Sequence, residues 1–68
     1  MKLVINGEPK TLELTKGTLQ DVLNVLSIPA EGRIIEVNGQ LFRDADFVNQ
    51  SVESGDTIEI IQFMGGGE

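Results

Sequence analysis

The sequence contains no cysteine, histidine, tryptophan or tyrosine. Each absence removes a class of chemistry. Without cysteine, neither a disulfide nor a thiolate metal site can staple a chain of 68 residues. Without histidine and cysteine, the commonest general base and the best nucleophile are both missing, so an enzyme is disfavoured. The only aromatics are Phe42, Phe47 and Phe63, so a core must be built from Leu, Ile and Val. No run approaches the roughly 20 apolar residues of a membrane span. "MKLVINGEPK" meets a turn too soon to be a signal-peptide apolar region. Bases are scarce as well, five against eleven acids, for a formal net charge of −6. That balance repels phosphate backbones and anionic lipid and favours a partner with a basic face. The expectation is a single cytoplasmic domain, monomeric alone, bound to neither nucleic acid nor membrane.

What is present reads as an ordered series of elements. "MKLVING" predicts a strand with Leu3 and Ile5 on one face, followed by the tight-turn signal Asn6-Gly7. "KTLEL" alternates, with Leu12 and Leu14 inward. Pro9 between them suggests a longer turn, because it cannot donate to a ladder. The period then changes. Leu19, Val22, Leu23 and Leu26 fall at i, i+3, i+4 and i+7, the apolar stripe of an α-helix. Thr18 and Asp21 form a capping-box pattern at its start, and Pro29 is the expected stop. "RIIEVNGQLF" predicts a second hairpin bent at Asn38-Gly39. "RDADFVNQ" predicts a short helical turn carrying Phe47 inward, and "TIEIIQF" the last strand. Hairpin, helix and further strands predict an α+β fold, a mixed β-grasp sheet with one main helix. Its first and last strands should lie parallel at the centre. The domain is expected over residues 1–64, with a flexible tail over 65–68.

Two features invite functional readings. The carboxylates Asp44, Asp46, Glu53 and Asp56 suggest a metal loop, but Val48 stands where an oxygen ligand is needed and no loop glycine follows. Solvated turn acids are the better reading. The end "TIEIIQFMGGGE" is more informative. Ile58 and Ile60 share one face of the last strand, while Glu59, Ile61 and Phe63 share the other. One helix covers only one sheet face, so Glu59, Ile61, Phe63 and Met64 are candidate docking residues. Gly65, Gly66 and Gly67 lack β-carbons, so they can enter a slot too narrow for other residues and present a carboxylate deep in a partner's site.

These segments carry a resemblance. "VNG" (Val37 to Gly39), "GTLQDVL" (Gly17 to Leu23) and "SGDTIEIIQFMGGG" (Ser54 to Gly67) resemble the ThiS/MoaD sulfur carriers, relatives of ubiquitin, and most of all the thiamin branch. The resemblance implies a non-enzymatic carrier whose terminal glycine carboxylate, on Gly67, is the reactive group. An E1-like, ThiF-like adenylyltransferase would activate it with ATP and Mg²⁺, so the carrier itself would bind no cofactor. A sulfur donor such as a cysteine desulfurase would then supply persulfide sulfur to form a thiocarboxylate, and a ThiG-like thiazole synthase would receive that sulfur. The alternatives are a molybdopterin-synthase small subunit, a ubiquitin-like modifier and a plain interaction domain with an idle tail. Glu68 departs from the family pattern, because it places Gly67 in a peptide bond. Removal of Glu68 by a protease is the leading explanation. An added residue, a carrier without thiocarboxylate chemistry, or adenylation of Glu68 itself are the others.

Overall fold

A computed structural model of the chain describes residues 1–62. Strand β1 (Lys2–Ile5) turns at Asn6 and Gly7, whose φ angles are 52° and 83°. These left-handed values match the twist of a two-residue hairpin, and Asn and Gly adopt them most readily. The return strand β2 spans Glu8–Thr11, earlier than the alternation of Lys10 to Leu14 predicts. The turn is therefore the tight one, and Pro9 lies inside the strand. Its register explains the tolerance. Ile5 faces Glu8 and Val4 faces Pro9, so the alternation of the ladder turns the Pro9 nitrogen away from β1 on an edge strand. Just beyond β2, the Leu12 N–H donates to the Met1 carbonyl at 2.8 Å, and Leu12 is buried as expected.

Strand β3 (Gly17–Thr18) leads directly into helix α1 (Leu19–Leu26). The capping box forms as the sequence predicts. The Asp21 N–H donates to Thr18 Oγ1 at 3.4 Å, while the Thr18 N–H donates to Asp21 Oδ2 at 2.9 Å. Leu19, Val22 and Leu23 are fully buried, and Leu26 packs against the core's margin. The helix stops before Pro29 can act. Ser27 takes φ 59°, its N–H donates to the Asn24 carbonyl at 3.2 Å, and the Ile28 N–H donates to the Leu23 carbonyl at 2.9 Å. That pair of bonds is a Schellman closure, made without glycine.

Strands β4 (Arg33–Val37) and β5 (Gln40–Arg43) form the second hairpin, turning at Asn38 and Gly39 with φ 50° and 92°. A 3₁₀ turn at Asp44–Asp46 delivers Phe47, fully buried, into the core. Strand β6 (Ser51–Val52) pairs with β3 in a small second ladder, which the sequence reading does not include. Strand β7 spans Thr57–Gln62. The main sheet runs β2-β1-β7-β4-β5, with β1 and β7 parallel through Val4–Thr57 and Ile5–Ile58. This is the expected β-grasp order, with the last strand central.

Sheet residues Leu3, Ile5, Ile35, Val37 and Ile58 meet Leu19, Val22 and Leu23 of α1 in a single apolar cluster. Fully burying each such side chain stabilises by about 1.5–3 kcal/mol before chain entropy is subtracted, so this cluster carries the fold. Among the described residues, no buried side-chain polar atom lacks a hydrogen-bond partner. The expected boundary after residue 64 lies outside the described residues.

Candidate functional site

Strand β7 is central, so both of its sides along the first half of its length are held by hydrogen bonds. Its two faces differ. Ile58 and Ile60 turn towards α1, whereas Thr57, Glu59 and Ile61 turn away and are exposed. Ile61 keeps 41% of its surface, too much for a residue covered by its neighbours. Among the described residues the helix lies on the opposite face, so Glu59 and Ile61 stand where the sequence reading expected them.

The antiparallel register with β4 adds residues that this reading missed. Ile61 faces Ile34, which in turn faces Arg43; Glu59 faces Glu36, which faces Leu41. Two rows therefore cross the outer face, one Ile61-Ile34-Arg43 and the other Glu59-Glu36-Leu41. Leu41 is 63% exposed, an unusually open leucine. Like charges directly opposite across a ladder repel, so the Glu36–Glu59 pair costs the fold stability. Among the described residues the one ion pair joins Lys10 and Glu8 at 3.7 Å, so neither of the two glutamates is in direct ion-pair contact there. The period-two alternation of "RIIEV" could have placed Ile34 and Glu36 together on this face. The exposure of Leu41 follows from the edge position of β5, which sequence does not reveal.

Both turn asparagines reach β7. Asn38 accepts from the Thr57 N–H through Oδ1 at 2.9 Å and donates from Nδ2 to Asp56 Oδ1 at 3.1 Å. Asn6 Oδ1 accepts from the Ile60 N–H at 2.7 Å. The parallel ladder between β1 and β7 ends at Ile58, so this side-chain bond continues it beyond the end of β1.

Two of the four acidic residues weighed as metal ligands, Asp46 and Asp56, serve the backbone instead. Asp56 Oδ2 accepts from the Glu53 N–H at 2.8 Å, and Asp46 Oδ2 lies 3.5 Å from the Arg43 N–H as its acceptor. Among the described residues no group of three potential ligands comes together. No described helix is long and apolar enough to cross a membrane. The remaining sequence candidates, Phe63, Met64, Gly65, Gly66 and Gly67, lie outside the described residues, as does Glu68.

The comparisons with known proteins agree on one group. Residues 3–67 match the model of the ThiS family. A sulfur carrier protein ThiS from Thermus thermophilus is 30% identical over 63 residues, covering 93% of this chain and 95% of that protein. A thiazole synthase from Paramagnetospirillum magneticum is 33% identical over 98% of this chain, which spans only 20% of that larger protein. A crystal structure of a thiamine biosynthesis protein, ThiS, from Geobacter metallireducens superposes with a TM-score of 0.85 at 33% identity, covering 98% of this chain and all of that one. A solution structure of a thiamine biosynthesis protein from the same organism gives 0.79 at 33% identity, covering all of this chain and 90% of that one. With its whole sheet, helix and glycine-bearing sequence inside these matches, the chain belongs to the ThiS family of sulfur carrier proteins.

Proposed function

We propose that this chain carries sulfur as a C-terminal thiocarboxylate on Gly67 and delivers it to a thiazole synthase in thiamin biosynthesis. The observation that supports this most is the family match, which runs through the sequence of the glycines themselves, to residue 67. The acceptor is suggested by the P. magneticum thiazole synthase, one stretch of which is similar to this chain.

The chemistry explains why a domain with neither His nor Cys suffices. A carboxylate is a poor electrophile until one oxygen becomes part of a good leaving group. An E1-like enzyme supplies that group. The Gly67 carboxylate attacks the α-phosphorus of ATP, pyrophosphate leaves with its Mg²⁺, and an acyl-adenylate forms. The terminal sulfur of a cysteine persulfide then attacks the carbonyl carbon and AMP departs. A thiol reductant cleaves the resulting acyl disulfide to give the thiocarboxylate. Gly65 and Gly66 supply a slender approach without β-carbons. Removal of Glu68 by a protease precedes activation, since its β-carbon and charge do not suit a glycine-sized channel. The outer face of the sheet, with Glu59 and Ile61 joined by Ile34, Glu36 and Leu41, docks the partners.

Intact-mass measurement tests the reading. The Gly67-ended chain, its E1-like enzyme, ATP, Mg²⁺ and a persulfide donor should together yield a species in which one sulfur has replaced one oxygen. The chain ending at Glu68 should not convert. No mass gain in a mixture that forms AMP would overturn the thiocarboxylate. Adducts on lysines of other proteins would indicate a modifier instead.

A further inference from the structure

Strand β7 is supported unequally along its length. Up to Ile58 it is flanked by β1 on one side and β4 on the other. Beyond Ile58 the hairpin has turned away at Asn6-Gly7, and from Ile60 to Gln62 only β4 supplies ladder pairing among the described residues. The Asn6 carboxamide fills part of that gap. The Asn6 N–H donates to the Ile58 carbonyl at 2.9 Å, and its Oδ1 accepts from the Ile60 N–H at 2.7 Å. One residue thus spans two successive β7 positions, and it does so at the last point where β1 can reach.

We propose that Asn6 is a positioning residue for the sulfur-bearing end. By holding Ile60 it fixes the stretch of β7 from which residues 63–67 lead to the reacting carboxylate. This rests on the carrier reading above. If the bond is lost, the end of β7 opens more often, because a typical hydrogen bond of about 1 kcal/mol corresponds to roughly a fivefold change in that equilibrium. The stretch from Ile60 to Gln62 then keeps only its pairing with β4 among the described residues. A partner that binds only the closed strand end has its apparent affinity reduced by the closed fraction, so the KM rises to the extent that the opened form becomes populated. The exposed Ile61, itself on this stretch, loses its fixed direction as well.

Asn38 provides a matched control. It occupies the same turn position with φ 50°, but its side chain holds Thr57 at the opposite end of β7. Glycine suits positive φ, so Asn6→Gly and Asn38→Gly each remove a side-chain acceptor without straining the turn. Asn6→Asp keeps the acceptor for Ile60.

The experiment combines amide hydrogen exchange on the isolated chains with steady-state adenylation of Gly67-ended chains by the E1-like enzyme. In the wild type, the Ile60 amide should exchange as slowly as that of Ile58. Asn6→Gly should speed exchange at Ile60 and Ile61 about fivefold and raise the KM for the carrier, by up to about fivefold where the opened form becomes the major one, with kcat unchanged. Asn6→Asp should restore both. Asn38→Gly removes two side-chain hydrogen bonds and should lower overall stability at least as much, yet leave KM and the Ile60 amide unaltered. Fast Ile60 exchange in the wild type, or an unchanged KM in Asn6→Gly, overturns the inference. An equal rise in KM in both glycine variants also overturns it, because the effect would then follow stability alone. If the wild type is not adenylated at all, the carrier reading fails, and the exchange data still decide whether Asn6 holds the strand end.

Discussion

Asn6 and Asn38 hold equivalent places in their hairpins, but their carboxamides meet different partners. Among the described residues, Asn6 uses only its oxygen, towards the Ile60 N–H. Asn38 uses both ends, accepting from the Thr57 N–H and donating to an Asp56 carboxylate oxygen 3.1 Å away. An aspartate therefore suits one site and not the other. Asn6→Asp should change unfolding free energy by less than about 0.5 kcal/mol, as for other benign surface changes. Asn38→Asp loses a charge-assisted donor and sets two carboxylates in contact, and it should cost about 1–3 kcal/mol. Urea midpoints at neutral pH measure both. Equal midpoints for the two variants would contradict the assignment of the Asn38 amide nitrogen. Both turns were legible in the sequence as Asn-Gly pairs, because positive φ is a local requirement. The second role of each asparagine was not, since it depends on which strand the fold places beside the turn.

At the scale of an element, α1 shows where local rules suffice and where they do not. Its start, its apolar stripe and its capping box follow from residues within three or four positions of one another, and all form as predicted. Its end does not follow from Pro29. The closure falls on Ser27, held at φ 59° and ψ 39°. A serine there adopts a left-handed conformation that costs a non-glycine residue about 1 kcal/mol, and no side-chain hydrogen bond of Ser27 offsets it among the described residues. Ser27→Gly should therefore raise stability by about 0.5–1 kcal/mol, after allowance for the greater entropy of glycine in the unfolded chain. For a domain of this size that corresponds to a rise of several degrees in melting temperature, on the order of 4–8 °C per kcal/mol. A fall in melting temperature would show that Ser27 contributes more than its backbone conformation. The strands divide in the same way. β1, β4, β5 and most of β7 were legible from alternation and turn signals. β2 began earlier than expected, because the tight turn sets its register and the edge position accommodates Pro9. The two-residue strands β3 and β6 are too short to carry any period, and they pair only because α1 and the Phe47 segment bring them together.

At the scale of the whole molecule, the fold separates what stabilises from the face proposed for docking. The apolar cluster between sheet and helix holds the chain, while the outer sheet face leaves Ile61 and Leu41 open beside the opposed Glu36 and Glu59. A like-charge pair facing itself across a central ladder is unfavourable for folding alone, but it would complement a basic surface on the proposed partner, as the formal net charge of −6 would in general. The two effects give opposite signs in one variant. Glu36→Gln should raise the urea midpoint, by up to about 0.5 kcal/mol in stability. It should also weaken docking to the activating enzyme by about 1 kcal/mol, a fivefold rise in the carrier's KM. Glu31→Gln removes the same charge from an exposed loop residue outside the strands of this face and should leave KM within a factor of two, the scale of a net-charge effect. Added salt sharpens the distinction. The wild-type KM should climb as the ionic strength approaches about 0.15 M, where the screening length falls to about 8 Å, while Glu36→Gln should respond less. A Glu36→Gln chain that folds more stably yet docks as tightly as the wild type would show that partners do not use this face. A chain that loses stability would show that the two carboxylates are not in repulsion. The expected pairing, firmer fold and weaker docking, arises only if the outer face is built for a partner with a basic surface.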